Sequence, residues 1–389
     1  MKEVVAIFEK YKLVDKPFEI ALLDYEMAGR QQEWKQLVKR LESAFKGNEC
    51  KFIVLQGKYG LGKTYTIERL YRFFEEKKKV FEDVFIVRTT LAEAPIRAYP
   101  GEPAKPKFGL DFVNRIFKHI EFSRLVEIVK KSFSKQSPKL SEPGFKFFTK
   151  VKEGDKVAYN VLSGIEVTAS ELKASGLKTL KDSQTALEIL FDFQRILKAA
   201  GYNNFLILLD EFEYIPTLST PKVTIILDTF RNIFDRYGIL ESREPNTLAK
   251  IVFVFAISPG GWERMKDLEA SAVKRTGGGG IAPFMDRISK IDVINLNPLT
   301  PKEVEDLVKY RLEKHRIKGE KVPHPLFPFT KECVEFIASV SQGVPRVVLQ
   351  YCGILLEDAA EKGKEEITLE YAKEVLTELG LYEELKGKA

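Results

Sequence analysis

Apolar and polar residues follow one another along the chain in two rhythms. The first is the short continuous apolar run: Phe52, Ile53, Val54 and Leu55, then residues 84–87, 205–209 and 251–257, with a weaker fifth run at 291–296. Runs of that length predict strands buried on both faces. The second rhythm is helical. Trp34, Leu37, Val38 and Leu41 fall on one face of a helix, as do Ile67, Leu70, Tyr71 and Phe74, and the Lys77-Lys78-Lys79 run suits the end of the latter. Further helices are predicted at 108–120, 125–133, 186–199 and 222–237, with Gly201 closing the third of these. Strands alternating with helices predict an α/β fold with a parallel five-stranded sheet covered on both faces.

Beyond Pro301 only helical spacing remains, with helices opening after Thr300, Thr330 and Thr368, so a small C-terminal α-helical domain is expected. The chain of 389 residues divides into an N-terminal helical segment at 1–47, an α/β domain at 48–298 and the helical domain at 299–389. Residues 91–182 form a long insertion in the α/β domain. Alternating segments around 144–167 predict a hairpin there, turning at Glu153-Gly154-Asp155.

Composition removes several kinds of chemistry. Three cysteines (Cys50, Cys333, Cys352) are too few and too scattered for a disulfide framework or a paired-cysteine metal site. The three histidines (His119, His315, His324) are equally dispersed and read as solvated surface groups, which leaves little material for a zinc hydrolase. No apolar stretch is long enough to span a bilayer and no apolar core follows the N-terminus, so a cytoplasmic protein is expected.

The net charge of +6 is unevenly spread. Between Lys105 and Lys156 eleven lysines and two arginines face six acids, so this one segment carries the imbalance. Phe145, Phe147 and Phe148 interleave with its cations. A surface of that kind can pair phosphates with Lys146, Lys150 and Lys152 and stack bases on rings; equally, the phenylalanines can pack inward beneath a solvated lysine-rich face.

The most specific signal is Gly57-Lys58-Tyr59-Gly60-Leu61-Gly62-Lys63-Thr64, a G-x-x-x-x-G-K-[ST] run placed between a predicted strand and a predicted helix. Glycines let such a loop wrap until successive backbone N–H groups converge on phosphate at a helix N-terminus. Lys63 then reaches the β- and γ-phosphates of ATP, and the Thr64 hydroxyl ligates Mg²⁺. A second element fits the same chemistry: the apolar run 205–209 ends in Asp210 and Glu211, an acid to hold the metal and an acid to polarise water.

With these residues in view the chain resembles the AAA+ ATPases, a P-loop NTPase core followed by a helical lid, over residues 20–380. The pattern is similar to the branch holding origin-recognition initiators and also to ExeA-type, transposition and BREX-type ATPases. The resemblance implies ATP and Mg²⁺ as cofactors, with residues 57–64 and the following Tyr65 around the nucleotide. It places Gly29 and Arg30, within Ala28-Gly29-Arg30-Gln31-Gln32-Glu33, beside the adenine pocket. Ser258, after the run 251–257, becomes the sensor that orients water, or else a plain strand-end serine. Arg346, in Gly343-Val344-Pro345-Arg346, becomes the lid arginine that reaches the γ-phosphate, its alternative being a surface residue of the lid. Arg287 is the implied arginine finger toward a neighbouring subunit, with Arg275 as its rival and a plain surface arginine as the alternative; the glycine tract 277–280 lies between them.

The resemblance also implies a homo-oligomer and, as a partner, DNA or a protein. Initiators carry a winged helix after the lid, which this sequence does not extend into. DNA contact is therefore expected in the basic insertion or through a partner. The expected activity is ATP hydrolysis coupled to rearrangement of an oligomer on DNA or a DNA-bound complex; the alternative is a nucleotide-gated switch or protein remodeller that does not touch DNA.

Overall fold

The structure is a computed structural model that describes residues 8–20, 26–47, 49–90, 108–135, 137–275 and 284–383. Five strands, β1 (Lys51–Gln56), β2 (Val84–Thr90), β3 (Asn204–Asp210), β4 (Lys250–Ile257) and β5 (Val293–Asn295), form one sheet in the order β2-β3-β4-β1-β5. Every pairing is parallel. Parallel strands need crossover connections, and helices covering both faces leave no solvated side; β3 and β4 are accordingly buried at every position. The last strand is shorter than its apolar run because residues Lys290–Asp292 form a 3₁₀ turn before it.

The chain divides into two compact units. One contains the sheet and runs from Gln36 to Gln56 and from Leu70 to Asn295. Its core is rich in phenylalanine: Phe52 stacks on Phe253 with ring centroids 5.0 Å apart, and Phe212 on Phe255 at 4.4 Å. The insertion joins this core. Its helices Phe108–Lys118, Phe122–Lys135, Glu142–Lys152, Lys156–Leu162 and Ala169–Ser175 lead into the helix Ser183–Ala200, and Phe117 meets Phe193 of that helix at 5.1 Å.

The expected hairpin at 144–167 is not formed; two helices stand there. Gly144, Phe147, Phe148 and Val151 are buried at helical spacing, and Ser141 caps the first helix by accepting from the Gly144 N–H. Gly154, at φ 85°, closes that helix, and the Asp155 carboxylate accepts from the Val157 N–H at 2.7 Å to open the next. The turn residues were real, but they connect helices.

The other unit gathers the described parts of Met1–Lys35, Gly57–Arg69 and Leu296–Ala389. Its helices Pro301–Lys314, Lys331–Val340, Pro345–Glu361 and Leu369–Glu378 include three that open on the threonine caps legible in the sequence, and Thr300 forms a full capping box with Glu303. The described part of residues 1–35 packs within this unit. Phe8, Tyr11, Leu13 and Phe18 enter the core of these C-terminal helices, and the Tyr11 hydroxyl donates to the Lys364 carbonyl at 2.7 Å. His315, expected at the surface, is buried and bonds Asp15. Among the described residues no helix is long and apolar enough to cross a membrane.

Candidate nucleotide site

β1 runs directly into Gly57, and the helix Lys63–Glu76 begins six residues later. The loop between them turns through two left-handed glycines, Gly60 at φ 82° and Gly62 at φ 90°, a conformation that side-chain-bearing residues rarely adopt. Lys63 lies at the first position of the helix, only 7% exposed, and its ammonium donates to the Gly57 carbonyl at 2.9 Å and to the Lys58 carbonyl at 3.3 Å. The cation is thus folded over the loop rather than extended into solvent. Thr64 is exposed at the next position. Thr66 tightens the first turn, its hydroxyl donating to the Gly62 carbonyl at 2.9 Å. A buried cation, a wrapped glycine loop and the positive end of a helix are the donor set that a polyphosphate requires.

Gly29, Arg30, Tyr65 and Arg346 belong to the same unit. Arg346 follows Pro345 at the start of the helix Pro345–Glu361, and its guanidinium donates to the Tyr59 hydroxyl of the loop at 2.5 Å. Gly343, at φ 67°, makes the turn before it; a Cβ there would lie 2.1 Å from the Leu299 carbonyl oxygen, so only glycine fits. Gly29 is similarly constrained, with the Glu303 carbonyl oxygen 2.7 Å from where a Cβ would stand. Arg30 is buried and donates to the Asn297 carbonyl at 2.7 Å and to Glu33 at 2.8 Å. Gly29 and Arg30 therefore fasten the N-terminal segment to the region that opens the helical domain. Tyr65 donates to the Glu26 carbonyl at 3.3 Å.

In the sheet unit, β3 delivers Asp210 and Glu211 at its C-terminal end. Asp210 is 5% exposed and accepts from the Glu211 N–H at 2.9 Å, while Glu211 adopts a left-handed φ of 55° that turns its side chain out of the strand. β2 supplies a partner to each acid. Register pairs Thr90 with Asp210; the Thr90 hydroxyl donates to Glu211 Oε2 at 2.9 Å, and Arg88 lies 3.8 Å from Asp210 Oδ2. Neither residue was legible from the sequence, because the β2 run was read as ending at Val87. The bond to Thr90 engages one of the two carboxylate oxygens of Glu211. Thr90→Val is expected to raise basal hydrolysis by about two- to ten-fold, the worth of one hydrogen bond to a charged group discounted for exposure; a steady-state phosphate-release assay reads it, and an unchanged or slower rate removes Thr90 as a restraint.

Ser258 follows β4 at the same C-terminal end of the sheet, where its hydroxyl accepts from the Gly261 N–H at 3.2 Å and caps the helix Pro259–Arg275. The serine thus has a helix-capping role whatever else it does. Arg287 does not project from the unit. Its guanidinium grips Asp235 with three bonds of 2.8–2.9 Å and lies 5.7 Å from the Phe234 ring. The Arg275 side chain and the tract 277–280 fall outside the described residues.

The basic insertion is less available than its composition suggests. Lys146 pairs with Glu142 at 2.6 Å, Lys150 with Glu153 at 2.9 Å, and the Lys152 ammonium sits 5.1 Å from the Phe133 ring centroid. Phe147 and Phe148 are in the core, and Phe145 alone of the three is exposed. All three cysteines are buried, and burial pushes their thiols up, Cys333 to about 12, which closes thiolate chemistry.

No protein-family profile matches the chain. A stretch of 99 residues is 35% identical to an uncharacterised HTH-type transcriptional regulator of Methanocaldococcus jannaschii, covering 25% of this chain and 23% of that protein. The match thus spans about a quarter of the curated relative. In three dimensions the chain is similar to the Aeropyrum pernix ORC2 protein in its ADPNP–ADP complexes, with a TM-score of 0.52 and 13% identity over 93% of this chain and 71% of the other. The ADP form of the same protein gives a TM-score of 0.50, again at 13% identity, over 93% and 72% of the two chains. At that identity the likeness carries the fold. The fold shared with the ORC2 protein is an α/β core with a five-stranded parallel sheet and a helical C-terminal region.

Proposed function

We propose that the chain is a Mg²⁺-dependent ATPase that couples nucleotide binding and hydrolysis to rearrangement of a homo-oligomer acting on DNA or on a DNA-bound complex. The observation that carries this reading is the loop itself, with left-handed Gly60 and Gly62 and a buried Lys63 folded over its carbonyls. The loop amides and Lys63 would hold the β- and γ-phosphates, and Thr64 with Asp210 would hold the magnesium. Mg²⁺ supplies charge neutralisation between the phosphates. Glu211, once released by Thr90, would take the proton of the attacking water. Arg346 would sense the terminal phosphate. Arg287 would act on a neighbouring subunit only by exchanging Asp235 for phosphate.

The curated relative is named as an HTH-type transcriptional regulator, and that name supports a link to DNA. A second reading, a switch or protein remodeller without DNA contact, is favoured by one observation: Lys146 and Lys150 already have acid partners, and two of the three phenylalanines beside them face inward. Exposed pairs of that kind are worth little and can be exchanged for phosphate. Salt separates the two readings. DNA-stimulated hydrolysis at low salt, with affinity falling steeply as salt rises and a flatter slope in Lys146→Glu/Lys150→Glu/Lys152→Glu, is expected of the first. No stimulation at any salt selects the second.

A further inference from the structure

Tyr59 is the most exposed large apolar or aromatic side chain among the described residues, at 75%. In a loop otherwise built to approach phosphate, a ring standing in solvent calls for a reason. Its contacts supply one. Arg346 donates through Nη1 to the Tyr59 hydroxyl at 2.5 Å, and its guanidinium carbon lies 5.2 Å from the ring centroid. No acid pairs with Arg346 among the described residues; its side chain bonds the Tyr59 hydroxyl. The backbone beneath is held as well: the Arg346 N–H bonds the Gly60 carbonyl at 3.4 Å, and a Cβ on Gly60 would stand 2.8 Å from Val344 Cγ1.

A guanidinium carries five N–H donors in a rigid fork. Tyr59 takes one of them, through Nη1, which leaves Nε and Nη2 as an edge that can fork onto an anion. An unrestrained arginine loses considerable rotamer freedom when it binds; one already held loses less. We propose that Tyr59 is a positioning residue: it presents Arg346 to the terminal phosphate of a nucleotide on the loop and thereby sets the preference for triphosphate over diphosphate. This rests on the nucleotide reading above. Tyr59 acts through Arg346, so the effect of removing it vanishes when Arg346 is already gone.

The test is equilibrium binding of fluorescent ATP and ADP analogues, with magnesium, to the full chain and to Tyr59→Phe, Tyr59→Ala, Arg346→Gln and the double variant Tyr59→Ala/Arg346→Gln. Loss of an exposed bond and a cation–π contact corresponds to a factor of about five. Tyr59→Ala is expected to bind the triphosphate about five-fold more weakly and the diphosphate within about two-fold of the native chain, with Tyr59→Phe between the two. In the Arg346→Gln background, Tyr59→Ala is expected to cost nothing further. Equal losses for both nucleotides, additive losses in the double variant, or no loss at all overturn the proposal while leaving the nucleotide reading in place. A native chain that takes up neither nucleotide overturns the reading and the proposal together.

Discussion

Glu211→Gln is expected to hydrolyse ATP about a hundred- to ten-thousand-fold more slowly than the native chain while binding it with affinity changed by less than about three-fold. The glutamine keeps the size and the left-handed turn at the end of β3 but cannot accept a proton from water. A loss of that size corresponds to about 3–5 kcal/mol on the barrier. Asp210, which accepts from the backbone N–H of residue 211, keeps its place because that bond does not involve the substituted side chain. Single-turnover hydrolysis with saturating nucleotide separates the chemistry from binding. Turnover at the native rate would remove Glu211 from the reaction.

Lys63→Ala is expected to act on binding. The Lys63 ammonium is buried and donates to two loop carbonyls. Its removal takes away a buried cation of the loop and leaves the Gly57 and Lys58 carbonyls without that donor. Truncating one partner of a buried charge pair costs about 2–5 kcal/mol, or about thirty- to several-thousand-fold in affinity. Lys63→Arg retains the charge but needs more room in a confined loop, and is expected to fall between the two. Circular dichroism spectra that superpose on the native chain show that the loss is one of affinity and not of folding. Unchanged nucleotide affinity in Lys63→Ala contradicts the assignment of the loop.

The loop was legible because its chemistry is contiguous: two glycines, a lysine and a threonine act through local backbone geometry, and each lies within a few residues of the others. The acids after β3 were legible for the same reason. What the pattern hid depends on pairing across long sequence separations. The sheet order β2-β3-β4-β1-β5 sets Thr90 opposite Asp210, and that register decides which residue holds Glu211. Arg287 and Asp235 are 52 residues apart, so the ion pair that holds this arginine is not visible in the sequence around it. The Tyr11 hydroxyl bonds the carbonyl of Lys364, 353 residues further along the chain, which no spacing near the N-terminus announces. In the insertion, Phe145 places an apolar residue on the exposed face and breaks the apparent period, although Gly144, Phe147, Phe148 and Val151 keep helical spacing. Gly154 was correctly read as a turn; which elements it joins is set by the burial on either side.

Calorimetric titration of the native chain with ATP at millimolar magnesium bears most directly on the central claim that residues 57–64 form a nucleotide site. One saturable site per chain is expected, together with an upward shift in thermal midpoint that grows with ligand concentration, since a ligand bound only by the folded state stabilises it by mass action. No heat of binding and no shift at millimolar ATP would contradict the account.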